Sequence, residues 1–439
     1  MCGFFGIISN NLNRNNNKFD ISLNSLSHRG PDNTSKWSDK DNHIMLGHKR
    51  LSIIDLSEHG NQPMVSYSGN KVIVFNGCIY NFNEIKIEFK NIMQIYQSNS
   101  DTRVLLELID HFGIEFALNK IEGMYSFAIY DCLKKNIMIV TDKFGEKPLY
   151  IYKNKNYFLF SSEIRAINLF DNNKNDISKD ALNDYFNKGY VSNNLSIYRK
   201  IKKVLPYSLI EFDVKNLLNS FDESYYSKRI NSAKRYWIKQ ERTKKKISIK
   251  DEIDNISQLT NDYIKKTCVS DVKTGIYLSG GVDSTYILSK MSNKVNERIN
   301  TFNFSFKDNK FDSSKLSKKI ANIYNSNHHV ITIDDFNIKN DITLLPKIYS
   351  EPFADPSALP MYYLSKYSKD YIKVAYSGDG GDETFSGYKR HYFWRLFLFI
   401  NNNKIIKSLF NSFINEKNLR IINLFNSKFE INYLKSNIQ

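Results

Sequence analysis

The patterning of the chain changes character near residue 213, and this break constrains the fold more than any other feature. Before it, short β-rich runs alternate with turns, at 2–8, 44–47, 71–75, 125–130, 137–141 and 158–161. One clear helical pattern interrupts them, with Val104, Leu105, Leu108, Ile109 and Phe112 on one face after the start signal Ser100-Asp101. Runs of strands with few helices imply an α+β layered domain. After the break, strands expected at 274–278, 301–306 and 330–333 alternate with helical patterns at 253–269, from the Ser279–Ser284 loop through Ser289, and at 313–324. That alternation predicts a parallel sheet flanked by helices. Residues 214–236 are polar and charged and read as a linker, giving a first domain over 2–213 and a second over 237–439. A chain of 439 residues is too long for one ordinary core, which agrees with two domains.

Composition excludes several classes of function. With 41% hydrophobic and 25% charged residues the chain reads as soluble and globular. The longest apolar run, 393–400, is short and holds Arg395, so it is expected as a buried helix rather than a membrane anchor. The apolar opening lacks the basic leader and cleavage pattern of a signal peptide. Cys2, Cys78, Cys132 and Cys268 are scattered with no CxxC pair, which argues against a zinc site or disulfides and for a reducing cytoplasm. The formal charge of +16 comes from lysines spread along the whole chain, and the run Lys244-Lys245-Lys246 lies in a polar connector without aromatics. No nucleic-acid partner and no membrane partner is expected. Residues 10–17, rich in Asn, read as a polar surface loop.

In the first half the residue types needed to hydrolyse an amide occur in order. Met1 precedes the small residue Cys2, so its removal leaves a cysteine bearing both thiol and α-amine. An α-amine titrates near neutrality and can serve as the base for its own nucleophile. Arg50, at a strand end, has the guanidinium geometry to grip a carboxylate by two hydrogen bonds. Asn76-Gly77 offers an amide and a backbone N–H for an oxyanion, and Asp101 opens a helix. Taken singly, each residue also fits a structural role: Cys2 as a buried hydrophobe, Arg50 in a surface ion pair, Asn76-Gly77 as a hairpin turn, Asp101 as a helix cap.

Together, Met1-Cys2-Gly3, Arg29-Gly30-Pro31-Asp32, Gly47-His48-Lys49-Arg50-Leu51-Ser52-Ile53, Asn76-Gly77 and Ser100-Asp101-Thr102 resemble the glutaminase domain of class II glutamine amidotransferases. Those domains are N-terminal-nucleophile hydrolases, so the resemblance implies an αββα sandwich. It also implies that Cys2 attacks the side-chain amide of glutamine and that Asn76 and Gly77 hold the oxyanion. By the same resemblance Arg50 and Asp101 bind the α-carboxylate and α-amino group, with Leu51 and Ile53 shaping the pocket. Glu163 lies in a similar stretch, and no catalytic role is assigned to it. One departure is marked: the family's Asn-Gly-Glu-Ile-Tyr-Asn reads Asn76-Gly77-Cys78-Ile79-Tyr80-Asn81 here. Losing one charge-assisted hydrogen bond to the glutamine ammonium costs about 1.5–3 kcal/mol, roughly tenfold to a hundredfold in affinity. Weakened glutaminase activity, or direct use of ammonia, is the expected consequence.

In the second half, Ser279-Gly280-Gly281-Val282-Asp283-Ser284 follows a strand and opens a helix. Glycines let the backbone approach phosphate while the helix N-terminus and hydroxyls donate to it. The loop lacks the P-loop lysine and resembles the SGGxDS loop of ATP pyrophosphatases. The stretches 351–358 and Ser377-Gly378-Asp379-Gly380-Gly381-Asp382-Glu383 resemble asparagine synthetases of the glutamine-hydrolysing type. That resemblance implies an α/β adenine-nucleotide-hydrolase-like domain that binds ATP through Leu278, Ser279, Gly280, Gly281, Asp283, Ser284, Phe304, Ser377 and Gly378. It further implies Mg2+ at Asp283 and Asp382, and assistance to amide formation by Asp379. His328-His329 is expected at a helix end with a structural role. The likeness runs from residue 2 to about 388. The family's further helical region, with a lysine near the β-phosphate, is not recognisable in 391–439, which reads as Asn- and Lys-rich amphipathic helices and implies a C-terminally short synthetase domain.

The leading expectation is therefore a cytoplasmic amidotransferase acting on glutamine, ATP and aspartate, with a homodimer as the assembly to test. Two other readings stand beside it. One is a relative that amidates a sugar uronate during surface-polysaccharide assembly, and the other is a degenerate protein that binds glutamine or ATP without turnover.

Overall fold

The computed structural model describes residues 1–93, 98–171, 176–192, 195–219, 223–236, 248–268, 270–294, 297–305, 312–332 and 339–403. In the first half, strands β1 (Gly3–Ser9), β2 (Asn33–Ser38) and β3 (Ile44–Arg50) join β8 (Tyr150–Lys153), β9 (Tyr157–Ser161) and β10 (Ile201–Lys203) in one sheet, ordered β10-β8-β9-β1-β3-β2. Strands β4 (Met64–Val65), β5 (Lys71–Ile79), β6 (Gly123–Asp131), β7 (Asn136–Thr141), β11 (Ser208–Asp213) and β12 (Lys234–Arg235) form a second, ordered β12-β11-β7-β6-β5-β4. Their pairings are antiparallel.

Period-two alternation explains the four layers. Phe4 and Ile8 of β1, Ile44 and Leu46 of β3, and Val72 and Val74 of β5 meet Ile137 and Ile139 between the sheets. The alternate residues Phe5 and Ile7 pack outward on the helices Asn16–Asn24 and Ile164–Asp171. On the other side Ile73 and Phe75 pack on Asp101–Phe112 and Ile114–Lys120. Both faces of each sheet are covered, so the strands read as continuous apolar runs, and the result is the expected αββα sandwich.

In the second half, β13 (Thr274–Tyr277), β14 (Asn300–Ser305), β15 (Asn327–Thr332) and β16 (Val374–Tyr376) form a parallel sheet ordered β15-β14-β13-β16. Ile276 and Leu278 are fully buried against Ile264, Leu288 and Met291 of the flanking helices. Successive crossovers leave β13 in opposite directions, which opens a crevice at the carboxyl ends of β13, β14 and β16.

Several expectations are corrected. Residues 10–17 are not a loop: Leu12–Asn15 is a 3-10 helix leading into Asn16–Asn24, and Leu12 is buried. The stretch 214–236 is not a free linker, because its few apolar residues suffice to dock it. Helices Val214–Asn219 and Glu223–Asn231 bury Val214, Leu217 and Tyr226 under the inter-sheet core, and β12 pairs with β11. His328 and His329 lie inside β15 rather than at a helix end, His328 between the hydroxyls of Thr301 and Ser317 and His329 stacked on Phe302. The helix Lys389–Asn402 exposes Leu398 and Phe399, contrary to the buried helix expected there. Lys244-Lys245-Lys246, residue 306 at the end of the expected strand 301–306, residue 333 at the end of 330–333, and the amphipathic pattern beyond 403 lie outside the described residues. Among the described residues no helix is long and apolar enough to cross a membrane.

Candidate active site

The alternation that builds the inter-sheet core also builds the first site. Continuing the inward positions of β1, β3 and β5 past their apolar residues reaches Cys2, Arg50 and Asn76 at the open mouth of the sandwich. There they line one cavity of about 430 Å³ with Leu51, Ile53, Gly77, Cys78 and Asp101. The first-half residues singled out from the sequence are thus brought together.

Cys2 Sγ lies 3.4 Å from the Leu51 amide nitrogen and 3.7 Å from the Leu51 carbonyl oxygen. Burial raises the thiol pKa, partly offset by the adjacent terminal amine. That amine, which belongs to Met1 in this structure, is brought down to about 6, chiefly by burial and then by Arg29 and Lys147. The Met1 side chain reaches solvent while its amine is shielded. A protonated thiol beside a neutral amine suits proton transfer at the moment of attack.

Asn76 is a strand residue, not a turn residue: β5 pairs with β6 as far as Ile79 and carries Asn76-Gly77 inside the sheet. The Asn76 side chain is buried and its Nδ2 has no hydrogen-bond partner. Opposite Gly77, the Tyr125 N–H and carbonyl are both engaged by Asp142 on the β7 side. In such an antiparallel pair the Gly77 N–H points away from β6. The two groups are suited to an oxyanion.

Asp101 Oδ2 accepts from the Ile79 N–H at 2.9 Å and Oδ1 from the Thr102 N–H at 2.7 Å. Burial nevertheless raises its pKa, so an arriving ammonium group would stabilise the charged form. Arg50 departs from the expected geometry. Its Nη1 donates to Ser57 O at 2.7 Å and Asn61 Oδ1 at 2.9 Å, and its Nη2 to the carbonyls of Asp55 and Ile54. Of the five guanidinium N–H donors only Nε–H is uncommitted, so a two-bond carboxylate grip requires the 54–61 loop to yield. Cys78 lines the cavity with its thiol pKa raised by burial, and supplies no charge.

Four further residues support the site: Arg29, His48 and Glu163 lie in stretches that carry the resemblance but had no role assigned, and Lys147 was not singled out. Arg29 donates from Nε to Cys2 O at 2.9 Å and pairs through Nη1 with Glu163 Oε1 at 2.8 Å. Glu163 thus anchors the cysteine backbone through Arg29. His48, wholly buried, spans the two sheets from β3 to Phe75 O at 3.0 Å, next to Asn76; burial takes its pKa down to about 4 and keeps it neutral. Lys147 is buried on the cavity wall.

The same cavity crosses to the second half, where Tyr263, Ile287, Ala375, Ser377 and Asp379 line it. The halves are joined there by reciprocal hydrogen bonds, Asp55 N to Asp271 Oδ2 at 2.8 Å and Asp271 N to Ile53 O at 3.0 Å. Lys373 reaches Asp32 at 3.0 Å, and Glu351 accepts from the Ile197 N–H at 2.9 Å.

A second cavity, of about 360 Å³, occupies the crevice of the parallel sheet. Leu278, Ser279, Gly281, Asp283, Ser284, Phe304, Ser377, Gly378 and Asp382 line it, as does Asp379. Gly280, at φ +81, is in the left-handed region that lets the chain turn from β13 into the helix Val282–Ser292. Ser279 Oγ meets Ser284 Oγ at 3.0 Å across the loop. A Cβ on Gly381 would lie 2.5 Å from the Asp283 carboxyl carbon, so the two acidic loops pack directly. Among the described residues no cluster of three or more His, Cys, Asp or Glu forms a metal cage. Two carboxylates, Asp283 and Asp382, beside a phosphate-shaped loop do fit magnesium, which keeps waters and phosphate oxygens in its shell. Asn303, also on this wall, was missed: it is buried, and its Nδ2 holds Leu278 O at 2.9 Å. The two cavities share Ser377 and Asp379.

The fold and its paired cavities define an amidotransferase-type αββα sandwich joined to a pyrophosphate-loop α/β unit. Residues 1–226 match the family model for the glutamine amidotransferase domain, and residues 255–429 the one for asparagine synthase. The chain belongs to the family of glutamine-hydrolysing asparagine synthetases. A Methanocaldococcus jannaschii protein provisionally named asparagine synthetase (glutamine-hydrolyzing) 2 is 33% identical over 414 residues, covering 89% of this chain and 76% of its own. Bacillus subtilis asparagine synthetase (glutamine-hydrolyzing) 1 is 30% identical over 392 residues, covering 88% of this chain and 59% of its own. The chain thus spans about three fifths of the Bacillus protein. Among solved structures, one described as the allosteric regulatory enzyme of purine biosynthesis overlaps 75% of this chain and 80% of its own at 15% identity and a TM-score of 0.40.

Proposed function

We propose that this protein hydrolyses glutamine at Cys2 and uses the ammonia to amidate an ATP-activated aspartate, producing asparagine, glutamate, AMP and pyrophosphate. The observation that carries this reading is that Ser377 and Asp379 border both cavities. A small molecule released at Cys2 thus has a short route along this shared wall to the nucleotide crevice.

After loss of Met1, the Cys2 amine takes the thiol proton as the sulfur attacks the glutamine amide carbon. Asn76 Nδ2 and the Gly77 N–H stabilise the oxyanion. The tetrahedral species expels ammonia, which carries off the proton, and water resolves the thioester to glutamate. In the crevice the aspartate side-chain carboxylate attacks the α-phosphorus of ATP, forming an acyl-AMP and releasing pyrophosphate to the Ser279–Ser284 loop. Asp283 and Asp382 would hold magnesium, which supplies charge neutralisation of the pyrophosphate. Ammonia attacks the acyl carbon, Asp379 accepts the proton, and AMP leaves. Four free cysteines fit a reducing cytoplasm as the working compartment.

The test incubates the purified protein with ATP, magnesium, glutamine and aspartate and identifies products by mass spectrometry. Expected are equal yields of asparagine, AMP and pyrophosphate, an N-terminus beginning at Cys2, and loss of glutamine-dependent but not ammonia-dependent asparagine in Cys2→Ala. Pyrophosphate release that never requires aspartate overturns the acceptor. Glutamine-dependent asparagine surviving in Cys2→Ala overturns the coupling.

A further inference from the structure

Three cations surround the cysteine site, and among the described residues Lys147 alone has no oxygen partner for its charged head, although Glu146 and Asp142 act on it from farther off. Arg29 is paired with Glu163 at 2.8 Å. Arg50 spends its Nη donors on oxygens of the 54–61 loop. Lys147 is 7% exposed, and its ammonium meets only a thioether, Met1 Sδ at 3.4 Å. No carboxylate lies within ion-pair distance of it among the described residues. A thioether is a weak acceptor, and a buried ammonium without a partner is costly.

The backbone leaves Lys147 little freedom to escape. Asp142 caps its own turn, accepting from the N–H groups of Phe144 at 2.9 Å, Glu146 at 3.1 Å and Lys147 at 3.1 Å. Its carboxylate is therefore consumed by backbone donors rather than by the Lys147 ammonium. The fixed turn holds the side chain on the wall of the cavity that contains Cys2.

We propose that Lys147 is a positioning residue of the cysteine site, its buried ammonium holding the α-amine of an N-terminal Cys2 in the neutral, proton-accepting form. The inference rests on the proposal that Cys2 is the processed nucleophile. The charged groups that act on the N-terminus are Arg29 and Asp32 from the 28–32 turn and Lys147; Glu146, Arg29, Asp142 and the Cys78 thiol act on Lys147, and Arg50 from β3 and Asp101 from its helix line the same cavity. Asp32 is taken by Lys373 at 3.0 Å and Asp101 by backbone amides, so neither cancels Lys147. In this structure, where the terminal amine is that of Met1, Arg29 and Lys147 are the cations that lower it beyond burial; removal of Met1 moves the amine one residue along, to Cys2, on the wall of the same cavity. The same field stabilises the thiolate once its proton has moved to the amine.

The test is the pH dependence of Cys2 alkylation by iodoacetamide, read on the N-terminal peptide by mass spectrometry and requiring no glutamine turnover. The acid limb of glutamine kcat/KM is measured alongside. In Lys147→Met both profiles should move to higher pH by about one unit, the effect of one charge several ångströms away in a partly buried site. Lys147→Arg should restore them. If Lys147→Met lacks a cooperative melting transition, Lys147→Gln replaces it under the same readings. Unshifted profiles, or a change confined to glutamine KM, overturn the proposal. Absence of glutamine hydrolysis in the wild type counts against the functional reading and leaves the alkylation profile as the test of Lys147. Retention of Met1 in the wild type overturns both.

Discussion

Gly60 shows how narrowly the proposed glutamine site is built around one guanidinium. A Cβ there would lie 2.1 Å from Arg50 Nη2, with the Asp55 carbonyl 3.1 Å away on the other side. Gly60→Ala should displace Arg50 and raise glutamine KM at least tenfold, roughly the value of one charge-assisted hydrogen bond. Ammonia-dependent asparagine formation should stay unchanged, and equal losses with both nitrogen donors would contradict the assignment. His48 makes a different prediction. Its pKa falls from near 6.5 to about 4 on folding, because burial penalises the imidazolium. Between those values the unfolded chain binds more protons, so stability is present above 6.5 and is lost as pH falls toward 4. The single-site loss amounts to about 3 kcal/mol. Urea midpoints at pH 7 and pH 4.5 should converge in His48→Gln relative to wild type, and an unaltered difference would reject the linkage.

The strand β13 and the loop after β3 are where the elements of the two halves meet. Three residues before β13 begins, Asp271 clasps Ile53 and Asp55, whose carbonyl in turn holds Arg50. At its other end β13 opens into Ser279 and Gly280. Asp271→Ala should raise hydrogen exchange in 51–57 and raise glutamine KM about fivefold, as expected for loss of about 1 kcal/mol of hydrogen bonding. It should leave the melting of the parallel sheet intact. Wild-type exchange across 51–57 that already matches the variant's would show that the clasp holds nothing. The elements that sequence revealed best are those whose residues repeat regularly. The apolar runs of the sandwich, the helix after Ser100 and the strand–loop–helix around Ser279 were all legible. Asn76-Gly77 looked like a turn because an Asn-Gly pair usually is one; only nine-residue pairing with β6 keeps it in a strand. Arg50's engagement by Ser57 and Asn61, the Arg29–Glu163 anchor and the burial of Lys147 depend on contacts between distant segments, which no local period encodes. The docking of 214–236 was hidden because its apolar residues, Val214, Leu217 and Tyr226 buried and Leu218, Tyr225, Ile230 and Ala233 packed beside them, are dispersed among polar ones.

The whole molecule is organised by the passage between its halves, where the Cys2 cavity adjoins the crevice of the parallel sheet. Ala375 lies on that passage without touching either reacting centre in the proposed mechanism. Ala375→Phe should leave glutaminase and ammonia-dependent synthesis largely intact while glutamate accumulates in excess of asparagine. A preserved one-to-one ratio would mean ammonia travels elsewhere. The shared wall at Ser377 and Asp379 has one more consequence. These residues close the far end of the first chamber only to the extent that something fills the second. In the proposed mechanism, with nucleotide and acceptor absent, the passage is a pipe with an open tap, and nitrogen freed at Cys2 drains into bulk water. The fraction of glutamine nitrogen recovered in product should therefore rise with ATP and aspartate even where the rate of glutamine breakdown does not. In the proposed mechanism, nitrogen yield, more than turnover, is the quantity that this architecture regulates.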